Sequence, residues 1–254
     1  MVYLMVEQQF AKYPWCQRTI RGIFEEVRKR RIHVQEVSEL PGGAEERSCV
    51  LLVGASEEWI NQTARGAGSL GLHPIVLSNR ETNSSGLSVS SVKMDIHSSM
   101  ELAVDYLRTL GRERLALFGV NPSASSDLWR ARRFGELTGR EGDVFFLGSS
   151  VNEIFDQFYE KIHRYDGVIC ASDYAAVSLV GRLREKNYAI PEKLYVVGYG
   201  DMFLSRLFRP SITSISDDYE SFGKAALAIC AMMEKNDAFS VVSVKLKSRL
   251  HIRE

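Results

Sequence analysis

The sequence predicts an α/β protein made of two doubly wound lobes, each with a parallel β-sheet covered by helices. Along almost all of the 254 residues, strand-sized apolar runs alternate with segments whose apolar residues recur at helical spacing. The strand-sized runs are hydrophobic throughout, which is typical of parallel strands that are buried on both faces. The number of strand–helix units exceeds what one open sheet accommodates in a chain of this length, so two lobes are expected.

The elements alternate in a regular order along the chain. Strands are predicted over residues 2–6, 32–37, 48–53, 74–77, 91–94, 114–118, 144–147, 167–171, 194–197, 241–246 and 249–252. Helices are predicted over 14–31, 57–69, 128–137, 151–163 and 219–235, with two more after Ser98 and Asp173. Ser98 is expected to cap its helix, and Gly111 to end it. The polar segment 79–91 is expected to be a surface loop or a ligand-facing crossing.

Composition excludes several classes of protein. The chain is 45% hydrophobic and 25% charged, which is ordinary for a globular protein and excludes a disordered or coiled-coil chain. Lys and Arg number 32, as do Asp and Glu, so no net basic charge favours non-specific nucleic-acid binding. No apolar run is long enough to cross a membrane. No signal-peptide pattern is visible, so a cytoplasmic protein is expected, although a processed secreted chain would lack one too.

The sequence carries no recognisable catalytic or metal-binding motif. The four cysteines lie far apart without a CxxC pair and are expected to be reduced core thiols. There is no G-x-S-x-G, no GKS or GKT loop, and no HxH or HExxH spacing. The adjacent Asp217 and Asp218 are either acid/base groups or helix-start residues. We therefore expect neither an enzyme nor a cofactor or metal.

Several motifs occur in a characteristic order from residue 107 to the end of the sequence. They are LRTLGRERLALFG (107–119), RRFG (132–135), DGVICASD (166–173), IPEKLYVVGYGD (190–201), RPSITSI (209–215), FGKAA (222–226) and RLHIRE (249–254). This order resembles the effector-binding domain of LacI/GalR-type bacterial transcription regulators. The resemblance covers essentially the full chain, with a weak match in the first hundred residues and a good match in the last hundred.

The resemblance implies a type I periplasmic-binding-protein-like fold in which the chain crosses between the lobes three times. It predicts an N-terminal lobe of 1–97 plus 219–240 and a C-terminal lobe of 98–218 plus 241–254. It further implies a ligand-sensing domain that binds a small sugar-like effector in the cleft between the lobes and controls DNA binding as a homodimer. The family's helix-turn-helix headpiece is missing before Tyr3, so we expect an excised effector domain that reaches DNA only through that headpiece. The alternative is a periplasmic sugar-binding protein of a transport system, which has the same fold.

The resemblance also points to aromatic and polar residues of a ligand site. Tyr13 and Trp15 match an aromatic turn after the first strand, and either stack on a sugar or pack the first helix. Ser56 either contacts the ligand or caps a helix. Arg132 matches an arginine that holds sugar hydroxyls, or is an exposed helical residue. Phe146 is either a second aromatic wall or a core residue.

The remaining candidates follow the later strands. Ser172 matches the ligand-contacting residue of an Asn-Asp pair, and Asp173 is expected to contact the ligand or cap the next helix. Asp217 matches a polar position that lines the cleft. Many family members have two aspartates at 200–201, but here Gly200 replaces the first and only Asp201 remains. Because of this departure, there are three alternatives to an ordinary sugar as the effector. They are a phosphorylated sugar, another small metabolite, or a pocket that senses nothing.

Overall fold

In the computed structural model, the chain forms two compact units, and the structure describes residues 1–45, 47–79, 89–139, 141–148, 151–235 and 241–253. The first unit comprises Met1–Met94 and Asp218–Leu246, and the second comprises Asp95–Asp217 and Lys247–Glu254. The chain therefore passes between the units three times. Each unit contains one six-stranded, mainly parallel sheet with helices packed on it, which confirms the predicted fold class.

The described residues form twelve strands and eight α-helices. The strands are β1 (Val2–Val6), β2 (Val34–Glu36), β3 (Cys49–Val53), β4 (His73–Ser78), β5 (Ser90–Met94), β6 (Leu115–Val120), β7 (Val144–Phe146), β8 (Gly167–Cys170), β9 (Tyr195–Tyr199), β10 (Thr213–Ser216), β11 (Ser243–Leu246) and β12 (Arg249–His251). The helices are α1 (Pro14–Arg30), α2 (Glu57–Ser69), α3 (Ile96–Thr109), α4 (Ser125–Thr138), α5 (Val151–Glu160), α6 (Asp173–Glu185), α7 (Phe203–Leu207) and α8 (Ser221–Lys235). Among the described residues, no helix is long and apolar enough to cross a membrane.

The first unit has the strand order β11-β5-β4-β3-β1-β2, and all of its strands are parallel. On one side of this sheet, α1 and α8 pack together at unusually close range. A Cβ added to Gly223 would overlap the backbone of Gly22, so glycine is required for this approach. Because α1 and α8 come from opposite ends of the chain, their contact joins the two segments of the unit.

The second unit has the strand order β12-β10-β9-β8-β6-β7, with only β12 antiparallel to its neighbour. Its strands bury side chains on both faces. Phe118 and Cys170 belong to the core on one face, whereas Leu117 and Ile169 belong to the core on the other. This arrangement explains why these runs are apolar throughout rather than alternating.

Several details differ from the predicted elements. The predicted lobe limits are 97/98 and 218/219, whereas the units divide at 94/95 and 217/218. The predicted second lobe includes residues 241–254, but β11 pairs with β5 in the first sheet. The cap of α3 is Asp95, which accepts a hydrogen bond from the Ser98 N–H, and not Ser98. The sequence pattern predicts neither α7 nor β10, and residues 80–88 of the predicted loop lie outside the described residues.

Candidate functional site

The parallel strands of each unit end at one edge of their sheet, and ligands of such sheets bind beyond that edge. We call the residues that follow β1 and β3 the first carboxyl edge: Glu7, Gln9 and Ser56 with their neighbours. We call the residues around the ends of β6 to β10 the second carboxyl edge. Several of the predicted site residues lie at one of these two edges, each within its own unit.

The first carboxyl edge is organised by Glu7, which is only 3% exposed. Its Oε2 accepts hydrogen bonds from the backbone N–H groups of Ala55 (2.9 Å) and Ser56 (3.0 Å), at the start of α2. Its Oε1 accepts from the Ser56 hydroxyl and from the Gln9 side-chain amide. The carboxylate thus neutralises the positive end of the helix.

Electrostatics keep the Glu7 carboxylate ionised. Burial alone raises the pKa of Glu7, but the hydrogen bonds from Ser56, Gln9 and the two backbone N–H groups outweigh burial and bring the pKa below its ordinary value. The Ser56 hydroxyl accepts a hydrogen bond from the Gln9 side-chain amide (2.5 Å) and also donates one to the Glu7 carboxylate. Sequence reasoning missed Glu7, although its position directly after the first apolar run was a usable signal.

A cavity of about 550 Å³ lies beside this edge, entirely within the first unit. Its lining mixes amide, carboxylate and hydroxyl side chains with three apolar ones; it consists of Met5, Val6, Glu7, Gln8, Gln9, Ser38, Ser56, Glu58, Trp59 and Gln62. This chemistry suits a ligand that both donates and accepts hydrogen bonds.

The two predicted aromatic residues of this unit lie in different surroundings. Tyr13 immediately precedes α1 and is half exposed, with its ring edge-on to Phe10 at 5.5 Å. Trp15 is buried between Phe10 (6.1 Å) and Tyr219 (6.3 Å). Trp15 therefore packs α1 against its neighbours, whereas Tyr13 presents a ring to the outside.

The second carboxyl edge is built around Arg130, which is 8% exposed. Its guanidinium lies over the Tyr199 ring at 3.8 Å from the centroid, and forms an ion pair with Asp127 at 2.7 Å. Its Nη2 lies 3.9 Å from Oδ2 of Asp217, one of the predicted ligand residues. A planar guanidinium suits both stacking and paired hydrogen bonds.

Asp217 belongs to the same buried cluster. Its Oδ1 accepts hydrogen bonds from the Tyr199 hydroxyl and from the Ser248 hydroxyl, both at 2.7 Å. Burial raises the pKa of Tyr199, and the Asp217 carboxylate raises it too, against the opposing effect of Arg130, so the phenol stays protonated and donates. The neighbouring Asp218 accepts from the Ser221 N–H (3.2 Å) at the start of α8, as expected of a helix-start residue.

Arg132, the predicted sugar-binding arginine, lies elsewhere on α4. Its side chain is 69% exposed and pairs with Glu136, one turn further along the helix, at 3.2 Å. Residues two positions apart on a helix are separated by about 200°, so Arg130 and Arg132 point in nearly opposite directions. The geometry favours Arg130 over Arg132 as the arginine of the second carboxyl edge.

Asp173 is 0% exposed and its carboxylate is used inside the unit. It accepts hydrogen bonds from the Ser214 hydroxyl (2.6 Å) and the Met202 N–H (2.5 Å), which fixes the turn after β9. A side chain at Gly198 would overlap the Asp173 carboxylate, so glycine at this strand position makes room for it. The helix cap is Ser172, whose hydroxyl accepts from the Ala175 N–H at 3.2 Å.

Asp201 lies in an ion cluster just beyond β9. It pairs with Arg206 and Arg253, and His251 Nε2 lies 3.6 Å from its Oδ2. Burial raises the pKa of Asp201, but the two guanidinium groups outweigh burial and bring the pKa below its ordinary value.

Phe146 ends β7 with its ring half exposed, so it presents an aromatic surface at the second carboxyl edge rather than packing in the core.

The comparisons with known proteins fit this fold. Residues 104–254, more than half of the chain, match the profile of a family described as the periplasmic binding protein-like domain. The chain belongs to this family. The matched residues include most of the second unit.

Relatives of this periplasmic binding protein-like domain include transcription regulators. Over 90 residues, the chain is 32% identical to the HTH-type transcriptional regulator RegA of Clostridium saccharobutylicum; this segment is 35% of the chain and 24% of RegA. The chain thus matches about a quarter of that curated relative. These matches confirm the resemblance to the periplasmic binding protein-like domain of transcription regulators.

Solved structures show the same fold over the whole chain. A LacI transcriptional regulator from a Rhodococcus species has a TM-score of 0.70 and 22% identity, covering 100% of this chain and 97% of that one. A LacI family transcriptional regulator from Enterococcus faecium, with bound ribose, has a TM-score of 0.68 and 17% identity, covering 100% and 97%. At these identities the likeness concerns the fold.

Within this periplasmic binding protein-like domain, the structure brings Asp217 together with Arg130 and Tyr199. Ser56 comes together with Glu7 and Gln9. Arg132 and Asp173 join neither of these two groups. Sequence reasoning missed Arg130 because an RRFG motif draws attention to its first arginine, whereas burial depends on which face of α4 meets the sheet.

Proposed function

We propose that this chain is the ligand-sensing, effector-binding domain of a LacI/GalR-type bacterial transcription regulator. The relatives that it matches are named as regulators, and this favours a regulator over a periplasmic sugar-binding protein of a transport system. The proposed effector is a small sugar-like metabolite, and the proposed output is a change in DNA binding by the intact regulator. In this proposal a helix-turn-helix headpiece outside residues 1–254 makes the DNA contact, and the regulator acts in the cytoplasm.

The observation that carries this proposal is the cluster of Arg130, Asp217 and Tyr199. A guanidinium, a carboxylate and an aromatic face are held together at the edge of a parallel sheet where ligands of this fold class bind. Guanidinium groups donate to sugar oxygens, and carboxylates accept from sugar hydroxyls. A few fixed polar groups of this kind are what orient a small ligand.

The first unit carries polar and aromatic groups of a similar kind at its own carboxyl edge. Glu7, Gln9 and Ser56 form one hydrogen-bonded group with donors and acceptors, and Tyr13 adds an exposed ring. In the second unit, Phe146 presents an exposed ring at that unit's own carboxyl edge. Aromatic faces and hydroxyl acceptors together suit a sugar, the class of ligand that the Enterococcus faecium relative holds as ribose.

Ligand-dependent stabilisation tests the sensor proposal. Thermal unfolding is measured with ribose, neutral disaccharides, sugar phosphates and nucleosides, each tested alone. An effector at about a hundred times its dissociation constant stabilises a domain by roughly 2.7 kcal/mol, which shifts the midpoint by several degrees. Arg130→Lys should weaken the binding of the active compound at least tenfold, because lysine keeps the charge but loses the stacked, forked geometry. Arg132→Lys is the matched control and should leave binding unchanged.

Two results would contradict the sensor proposal. No stabilisation by any compound in the panel would contradict the proposal of a small sugar-like effector. Equal loss of binding in the Arg130 and Arg132 variants would show that the cluster does not contact the ligand.

We also propose that the chain forms a homodimer, and that ligand binding rearranges this dimer. Helices α6 and α7 pack together and expose Tyr174, Phe203 and Leu207, of which Phe203 is 72% exposed. Exposed large apolar side chains on neighbouring helices are typical of protein–protein contacts. Sedimentation of the wild-type chain at micromolar concentration should give a dimer, and Phe203→Glu should give a monomer that stays folded. A wild-type monomer would refute this part of the proposal.

A further inference from the structure

A second pocket, of about 380 Å³, lies within the second unit at the opposite end of its strands from the second carboxyl edge. It opens at the amino-terminal ends of β9 and β10. Its floor consists of the buried side chains of Val180, Val196 and Ile212, and its mouth is bordered by the exposed Leu110 and Ile252. The size is within the range of small-molecule pockets, about 300–1,000 Å³, and the mainly apolar lining is typical of them.

One polar feature interrupts this apolar lining. The hydroxyl of Tyr106 lies 3.0 Å from that of Tyr195, which in turn lies 3.1 Å from the Thr213 hydroxyl. The Thr213 hydroxyl donates to the Arg253 carbonyl oxygen at 3.1 Å and accepts from the Arg253 N–H at 2.9 Å. All four residues line the pocket, so the hydrogen-bonded chain forms part of its wall.

The direction of the protons in this chain follows from counting donors. Each hydroxyl has one proton, and that of Thr213 goes to the Arg253 carbonyl. The Tyr195 proton therefore goes to Thr213, and the Tyr106 proton goes to Tyr195. Burial and the contact with Tyr195 raise the pKa of Tyr106 to about 12, so its proton is retained at neutral pH. The Tyr106 oxygen is thus the last oxygen of this series of hydrogen bonds, and it can accept a hydrogen bond from a ligand.

We propose that this pocket binds a small, flat apolar molecule that carries a single hydrogen-bond donor, held by the Tyr106 oxygen. An aromatic ring with an N–H or O–H group meets this description. The pocket is formed by α3, α6, β9, β10 and the C-terminal segment of one unit, so it is independent of the proposed sugar site. A failure of either proposal leaves the other intact.

Calorimetric titration of the whole chain with indole and with benzothiophene tests this proposal. The two probes have the same bicyclic shape, but only indole has an N–H donor. Indole should bind roughly tenfold more tightly, the value of one neutral hydrogen bond at a partly buried site. Tyr106→Phe removes the hydroxyl oxygen that accepts the ligand's hydrogen bond. The ratio of the indole affinity to the benzothiophene affinity should therefore fall towards one. Tyr188→Phe, a partly buried tyrosine outside the pocket, is the control and should keep the preference.

A second variant tests the location. Ile190→Trp fills the pocket from its lining and should abolish binding of both probes, while circular dichroism confirms that the chain is folded. The proposal is overturned if neither probe binds, if both bind the wild-type chain equally, or if binding survives in Ile190→Trp. Retention of the full indole preference in Tyr106→Phe would also overturn it.

Discussion

The two carboxyl edges solve the same problem, holding buried charge at the end of a parallel sheet, in different ways. At the first edge, Glu7 receives hydrogen bonds from two backbone N–H groups and from the nearby side chains of Ser56 and Gln9. At the second edge, Arg130 is held by side chains from its own helix, from β9 and from the residue after β10. The first edge therefore contains one carboxylate at the start of a helix, whereas the second edge contains a network of side chains from several elements.

This difference indicates which of the two edges depends more on the packing of the rest of its unit. Glu7 is held by backbone N–H groups at the start of α2 and by two nearby side chains, so its partners come from only two short segments of the chain. The Arg130 network exists only when α4, β9 and β10 are packed together. We therefore expect substitutions at the second edge to cost more stability than those at the first.

The largest effect is expected from Arg130→Met. Removal of the guanidinium leaves the buried Asp217 carboxylate without its nearby positive charge, which typically costs about 3–5 kcal/mol. The midpoint of urea unfolding, followed by circular dichroism, should fall accordingly. Arg132→Met removes an exposed arginine from the same helix and should leave the midpoint unchanged. Similar shifts in both variants would mean that burial of Arg130 does not matter.

This pair of arginines also shows how far the sequence could predict the site. The apolar runs predicted the parallel sheets and the fold class, because both depend on patterns that recur over many residues. The choice between Arg130 and Arg132 depends on the rotation of α4, which is set by the packing of Phe134 and Gly135. A motif of four residues does not contain that information.

Other misses have similar physical causes. Strand β10 follows Pro210 and consists of Thr213 to Ser216, where serines and a threonine replace the apolar residues of a typical buried strand. Its hydroxyls are buried because they bond to Asp173, Tyr195 and His251. Hydrophobic periodicity cannot reveal a strand whose burial depends on such partners.

Gly198→Ala should have the next largest effect. The added methyl group would overlap the fully buried Asp173 carboxylate, which is fixed by Ser214 and Met202. Overpacking of this kind costs up to about 3 kcal/mol. Gly181→Ala, in the middle of α6, meets no heavy atom within 4 Å and should instead stabilise the protein by about 0.5–1 kcal/mol. Thermal unfolding of the two variants should therefore shift in opposite directions, and a stabilised Gly198→Ala would contradict the observed geometry.

At the first edge, Glu7→Gln should cost about 1–2 kcal/mol, because the amide group turns a donor towards the N–H groups of Ala55 and Ser56. The pKa of Glu7 is below its ordinary value in the folded chain, so its contribution is present above about pH 4.5 and is lost as pH falls through the folded pKa. The stability difference between wild type and variant should therefore narrow in acid. Glu58→Gln, an exposed neighbour, is the control. A difference that stays constant from about pH 7 to pH 3 would count against a stabilising role of the ionised carboxylate.

The smallest effect concerns an ion pair that joins the two chain segments of the first unit. Glu220 accepts two hydrogen bonds from Arg18, both at 2.8 Å, and one from Arg21 at 2.6 Å. Burial alone raises the pKa of Glu220, but the hydrogen bonds from Arg18, from the Glu220 backbone and from Arg21 outweigh burial and bring the pKa to about 2. Since both partners are partly exposed, water screens the pair, and Glu220→Gln should cost only about 0.5–1 kcal/mol at pH 7.

Acid and salt should reveal this pair more clearly than neutral unfolding does. A carboxylate with a depressed pKa stabilises the folded state above the unfolded pKa of about 4.5, and this contribution disappears between about pH 4.5 and pH 2. Salt should shrink it as well, because exposed charges are screened. Glu234→Gln, on the exposed side of the same helix, provides the comparison. Glu220→Gln could instead lower the free energy of unfolding as much as Arg130→Met does. The pairing of α1 with α8 would then depend on charge as strongly as the second carboxyl edge does, which would contradict the expected difference between the two units.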